Sequence, residues 1–196
     1  MSLPADQSSG EGAVQRTRRE YDGQVAVCRD LFKEKAEDYG TAWRIMRPSS
    51  VTDQIFIKAN RIRSIQEKGE SRIADGVRVE LVGIVNYAVM ALIQCQIGYA
   101  DTADMTAAEA LSRYDEQIRR AYSLMADKNH DYDEAWRLMR VSSIVDIILM
   151  KVFRTKEIED KDGATLVSEG VEANYLDMIN YALFALILTK ADNEGE

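Results

Sequence analysis

The sequence predicts an all-α fold: a duplicated helical bundle with internal pseudo-two-fold symmetry. Three observations carry this. The sixteen residues 38–53 recur at 131–146 with ten identities and a constant shift of 93. Asn86-Tyr87-Ala88 returns as Asn180-Tyr181-Ala182, a shift of 94, so the two copies differ in length by one residue. Only two prolines occur, both within the first fifty residues, and apolar residues recur at the three- and four-residue spacing of helices. A duplicated unit can form within one chain the self-complementary interface that a homodimer forms between chains. A monomeric pseudo-dimer, or a homodimer of such chains, is therefore expected.

The elements follow in the same order in each copy. Residues 1–12 are polar and read as a disordered tail. The first repeat spans 13–97. Its first helix covers about 13–37, with Val25, Cys28, Leu31 and Phe32 on the apolar face. Tyr39-Gly40 breaks it. A short helical turn at 41–47 is stopped by Pro48, because the residue before a proline avoids helical geometry. Ser49 or Ser50 is the expected cap of a second helix, about 51–67, and a third helix covers 76–97. After a linker at 98–105, the second repeat spans 106–190. Thr106-Ala107-Ala108-Glu109 is a capping-box signature that starts its first helix, to about 128. Ser142 or Ser143 caps the next helix, to about 157, and the last helix covers about 168–190. Residues 191–196 read as a second tail. Each repeat alone is near the lower size limit for an independent core, so the two are expected to pack as one body.

The net charge of −8 argues against nucleic-acid binding, which needs clustered Lys and Arg. Cys28 and Cys95 are the only cysteines, neither is matched in the other copy, and no metal-binding spacing links them. They fit a reducing cytoplasm. His130 is the only histidine and reads as a surface residue. Residues 1–12 lack the apolar stretch of a signal peptide. The apolar segments at 81–97 and 175–188 carry Asn86, Gln94, Asp177 and Asn180, so they read as buried bundle helices and not as membrane spans.

Polar residues on those two helices are the informative exception. Glu80, Gly83 and Asn86 lie three apart, and Asn174, Asp177 and Asn180 occupy the matching places, each set forming one slowly drifting stripe. The copies together suggest an ancestral Glu-x-x-Asp-x-x-Asn. In one reading Asp177, Glu172, Asn180 and Glu80 supply oxygen ligands to Mg²⁺. In the other, Asn86 and Asn180 fix helix register and Glu80 is simply exposed. The basic set is Lys35 and Lys128, with Lys58 and Arg61 matched by Lys151 and Arg154. These hold phosphate oxygens, or form surface ion pairs with Asp53 or Asp38. Asp38 and Asp131, with Tyr39 and Tyr132 at the helix break, complete the candidate substrate-binding set, together with Asn86. Tyr39 and Trp43, like Tyr132 and Trp136, either stack a base or anchor the break to the core. Anchoring is the preferred reading.

The ordered set Lys35, Asp38, Tyr39, Gly40, Trp43, then Lys58, Asn60, Arg61, then Asn86 and Tyr87, with its second copy Lys128, Asp131, Tyr132, Trp136, Lys151, Arg154, Asp177, Asn180 and Tyr181, resembles the nucleotide-modification-associated helical domain of phage and bacterial proteins. The resemblance covers nearly all of both copies. It implies a helical fold and a link to nucleotides, with no activity attached. More distantly, a Glu-x-x-Asp on a buried helix is similar to the all-α nucleoside triphosphate pyrophosphohydrolases of the MazG and dimeric dUTPase type. That resemblance implies Mg²⁺ and cleavage between the α- and β-phosphates. The chain departs from it: Glu34-x-x-Glu37 is far upstream, and the Glu-x-x-Asp is split between the copies. Two functions are thus expected to compete. One is a Mg²⁺-dependent nucleotide hydrolase, with its better site in the second repeat. The other is a non-catalytic helical module that binds a nucleotide or a protein.

Overall fold

The computed structural model describes residues 7–69, 76–161 and 170–194; the side chains at 7–11, 130, 132 and 190–194 lie outside the described set, as do the loop residues 70–75 and 162–169. His130 and Tyr132 are thus described as backbone only. The first repeat comprises α1 (Gln7–Tyr39), a 3-10 turn (Ala42–Ile45), α2 (Pro48–Lys68) and α3 (Gly76–Ile97). The second comprises α4 (Ala107–Tyr132), a 3-10 turn (Ala135–Leu138), α5 (Val141–Glu159) and α6 (Val171–Glu194). No strand occurs among the described residues.

Local chemistry sets the ends. Gly40, at φ 66°, takes the left-handed conformation that turns α1 into its 3-10 turn. The matching residues Asp133 and Glu134 adopt positive φ without being glycine, at 47° and 55°. Glu134 is held there by Arg137, at 2.6 Å, and by the Thr17 hydroxyl. Pro48 does not merely stop the turn. It sits in the first turn of α2, where its missing N–H costs nothing. The expected serine caps are displaced in both repeats, in the second with Val141 in the place of Pro48. Arg47 and Arg140 occupy the cap positions in extended geometry without side-chain caps, and Ser49, Ser50, Ser142 and Ser143 fall inside the helices. The capping box forms as expected, with Thr106 accepting from the Glu109 amide and Glu109 accepting from the Thr106 amide. The first and last helices run beyond their expected bounds, from Gln7 and to Glu194.

α3 and α6 pack against each other at the centre. α2 covers α3, α5 covers α6, and α2 meets α5. α1 and α4 pack together, and each touches both central helices. By length and mean hydropathy (1.6 for Gly76–Ile97, 1.2 for Val171–Thr189) both central helices could cross a membrane, but here their apolar sides face protein. Ile84, Leu92 and Ile93 on α3, and Met178, Ile179 and Leu183 on α6, are fully enclosed, each side chain contributing about 1.5–3 kcal/mol by leaving water.

Reciprocal hydrogen bonds tie the halves. Tyr21 of α1 donates to Asn180 of α6 at 2.9 Å, and Tyr114 of α4 donates to Asn86 of α3 at 2.9 Å. Each asparagine donates in turn to α1 or α4: Asn86 to the Cys28 carbonyl at 3.0 Å, Asn180 to the Ala121 carbonyl at 2.9 Å. Residue and partner exchange places between the repeats, which is the signature of a two-fold interface. The inter-repeat segment is pinned as well. Arg44, only 2% exposed, donates to Asp104 at 2.8 Å and to the Gly98 carbonyl at 2.6 Å.

Candidate functional site

Among the described residues, each repeat has a cavity in the same place, between its first helix, its 3-10 turn and its third helix. The first has a volume of about 220 Å³ and is walled by Phe32, Lys35, Trp43, Lys58, Gly83, Asn86, Tyr87 and others, with Tyr39 at its edge. The second is about 350 Å³, walled by Met125, Lys128, Trp136, Asp177, Asn180, Tyr181 and Phe184, among others. Lys35 and Lys128 correspond by the repeat shift of 93, as do Trp43 and Trp136. Asn86 and Asn180 correspond by the shift of 94, as do Tyr87 and Tyr181. A broader groove of about 610 Å³, between the start of α1 and the end of α4, shares Met125 and Asn129 with the second cavity.

The aromatic walls differ. Trp136 is 6% exposed and stacked on Phe184, with centroids 4.3 Å apart and planes within 4°. The Arg137 guanidinium lies 4.3 Å from its ring centroid. With Phe184 and Arg137 both against the indole, it is an anchor and not a free stacking face. Trp43, half-buried, has a tilted contact with Phe32 at 6.3 Å and the Arg44 guanidinium 5.8 Å from its centroid, but no stacked ring, because Met90 stands where the second repeat has Phe184. The indole nitrogens of both tryptophans are buried without a hydrogen-bond partner among the described residues. Tyr39 is 75% exposed at the mouth of the first cavity. The Lys58 ammonium lies 5.8 Å from the Tyr87 ring centroid. Burial, with Asp177 next to it, raises the Tyr181 hydroxyl above its usual pKa.

The charged residues do not assemble as a metal centre. Asp177 is buried, and its oxygens are taken by Lys128 at 2.7 Å and Lys151 at 2.6 Å. Glu172 is turned to Arg120, at 2.6 Å. Glu80, expected to be exposed or a ligand, is buried under Lys58 at 3.2 Å and Arg61 at 2.5 Å. These cations therefore do not pair with Asp53 or Asp38; Asp53 pairs with Lys156 at 2.6 Å. Asn180 and Asn86 spend both amide atoms on the Tyr and carbonyl partners that hold the repeats together. Arg154, the counterpart of Arg61, is exposed; at the place of Glu80 stands Asn174, which donates to the Gly170 carbonyl at 3.4 Å. Asp38 and Asp131 are exposed and outside both walls. Among the described residues no three His, Cys, Asp or Glu side chains converge. Mg²⁺ needs several oxygen donors free to face it, and here each carboxylate faces ammonium or guanidinium groups. The residues present do not fit the metal.

One further group went unrecognised in the sequence. Glu159 of α5 accepts from Thr52 at 2.8 Å and from Tyr175 at 3.0 Å, and its burial raises its carboxyl pKa above the usual range. Thr52 and Glu159 belong to different repeats, and Val145 and Gln66 replace them at the matching positions, so comparing the copies gives no signal. By contrast, Tyr21 and Tyr114 do correspond by the shift of 93 and could have been found that way.

A family model described as nucleotide modification associated domain 1 matches residues 35–95 and again residues 128–188. Both matches begin at the cavity lysine and extend past the cavity tyrosine. No curated protein and no solved structure matches.

Proposed function

The chain belongs to the nucleotide modification associated domain 1 family, and we propose that it binds a nucleotide, without metal-dependent hydrolysis, in the cavities formed by the first helix, 3-10 turn and third helix of its repeats. The observation that supports this reading is the duplicated wall: a lysine from the first helix, a tryptophan from the 3-10 turn and a tyrosine from the third helix border a cavity at the same place in each copy. A nucleotide offers a flat, polarisable base and an anion. Aromatic surface favours the base, at about 1–3 kcal/mol per stacked base, and the lysine ammonium favours the phosphate. Tyr39 at the mouth and the half-buried Trp43 supply the stacking surface in the first repeat.

A hydrolase would need the carboxylates of α3 and α6 for a metal. Lysines and arginines already neutralise those groups, so no cleavage step follows from this arrangement. The test is calorimetric titration of nucleoside mono-, di- and triphosphates with the metal chelated, followed by product analysis after adding Mg²⁺. Binding in chelator, with the nucleotide recovered intact afterwards, supports the reading. Absence of binding by every nucleotide, or Mg²⁺-dependent release of pyrophosphate or phosphate, overturns it.

A further inference from the structure

The two cavities differ most at one position. Asp177 stands on the wall of the second, and its counterpart Gly83 stands on the wall of the first. In the second repeat the Asp177 carboxylate is gripped by Lys128 from the first helix and Lys151 from the second helix. Their counterparts in the first repeat are Lys35 and Lys58, and both line its cavity. There, no carboxylate lies on the wall. A Cβ at Gly83 would sit 2.5 Å from Lys58 Cε, so Lys58 crosses the space that an aspartate side chain would need. Lys58 shares the single carboxylate of Glu80 with Arg61, at 3.2 and 2.5 Å, and Lys35 has no ion pair among the described residues. The wall of the first cavity thus carries two cations and no acid, whereas the wall of the second carries an acid, Asp177, beside Lys128.

We propose that the first-repeat cavity alone is an oxyanion site, in which Lys35 and Lys58 hold a phosphate-type group, and that Asp177 occupies the equivalent place in the second repeat as a built-in anion. This rests on the nucleotide-binding reading and narrows it. The carboxylate gripped by two lysines in one copy shows the arrangement that an external phosphate completes in the other. Cavity size agrees: about 220 Å³ suits a small anion entering from the mouth, with the rest of the ligand lying outward on Tyr39. The second cavity carries a carboxylate on its wall where the first has Gly83, so it disfavours anions relative to the first and favours a ligand with hydrogen-bond donors.

The test is calorimetric titration of the full chain with inorganic pyrophosphate and, separately, with an uncharged nucleoside. Wild type should bind one pyrophosphate per chain. Lys35→Met, a change at an exposed residue, should weaken binding by about tenfold or more, consistent with loss of a charge-assisted contact. Gly83→Asp should abolish binding by supplying the internal anion; the contact it must relieve is with the flexible end of Lys58. Asp177→Gly should create a second equivalent site, and circular dichroism would verify that each variant folds. Two pyrophosphates per wild-type chain, full-affinity binding by Lys35→Met, or no pyrophosphate binding at all would overturn the proposal. Binding of the uncharged nucleoside alone would sink the oxyanion site and leave the broader reading standing. Binding of neither probe would count against both.

Discussion

Removing the hydroxyl of Tyr114 tests the pseudo-two-fold interface in a way that can be calculated. Tyr114 is fully buried, Asn86 is 6% exposed, and their 2.9 Å bond spans the two repeats. In Tyr114→Phe the ring still fills its place beside Phe32, at a centroid distance of 4.7 Å, so no large cavity forms. Asn86 still donates to Cys28, so its amide stays in position and its buried oxygen is left without that donor. A buried acceptor left unpaired costs about 1–3 kcal/mol. For a chain of this length each kcal/mol lowers the melting temperature by about 2–4 °C, so a fall of about 2–12 °C is expected. Tyr21→Phe orphans the Asn180 oxygen in the same way and should cost the same within about 0.5 kcal/mol. The two bonds share no partner, so the double variant should show the sum. Urea unfolding followed by circular dichroism measures all three. Wild-type stability in either single variant, or a large difference between them, would show that the interface is not reciprocal.

Three other outcomes follow. Asp177→Asn should destabilise the chain by about 1–3 kcal/mol, discounted because Lys128 is half exposed, and Mg²⁺ should not shift the melting temperature of either protein; a Mg²⁺-dependent rise lost in the variant would restore the metal reading. Burial raises the Glu159 carboxyl above the ordinary 4.5, so its stabilising contribution is present below the unfolded value and is lost as pH rises through the folded one. Glu159→Gln should therefore lose less stability between pH 4 and 7 than wild type, and parallel pH profiles would contradict this. Burial pushes the Cys28 and Cys95 thiols up to about 12, so neither should react readily with a disulfide reagent at pH 8 until the chain is unfolded; rapid modification of Cys28 in the native protein would contradict its enclosure.

The repeat, the helix order and the central place of the third helices were legible because duplication and apolar periodicity act along the chain. The helix starts differ from the expected serine caps in both repeats; Pro48, which suits a first helical position, accounts for the first, while Val141 takes the same place in the second. The site was half legible. The lysines, Trp43, Trp136, Asn86 and Asn180 stood out because both copies kept them. What the stripe on the third helix could not reveal was which charges faced it from other helices. Periodicity placed Glu80 and Asp177 on one face, but their partners Lys58, Arg61, Lys128 and Lys151 come from other segments. One clue was available. The acid moves one turn, from position 80 in the first copy to the place of 83 in the second, while both lysines stay, which describes an ion pair rearranged around fixed cations more simply than a metal site that has decayed. The Arg44 anchor escaped notice because its counterpart Arg137 uses different partners, Glu20 and Glu134.

The most direct measurement uses the two tryptophans, the only ones in the chain, as one reporter per cavity. In a ¹⁵N-labelled sample their indole N–H groups give two resolved signals, assigned with Trp43→Phe. Titration with a nucleoside monophosphate, with the metal chelated, should move the Trp43 signal in a saturable way, because the Trp43 side chain borders the cavity the ligand enters. Two indole signals that stay fixed across a panel of nucleotides at millimolar concentration would contradict the account.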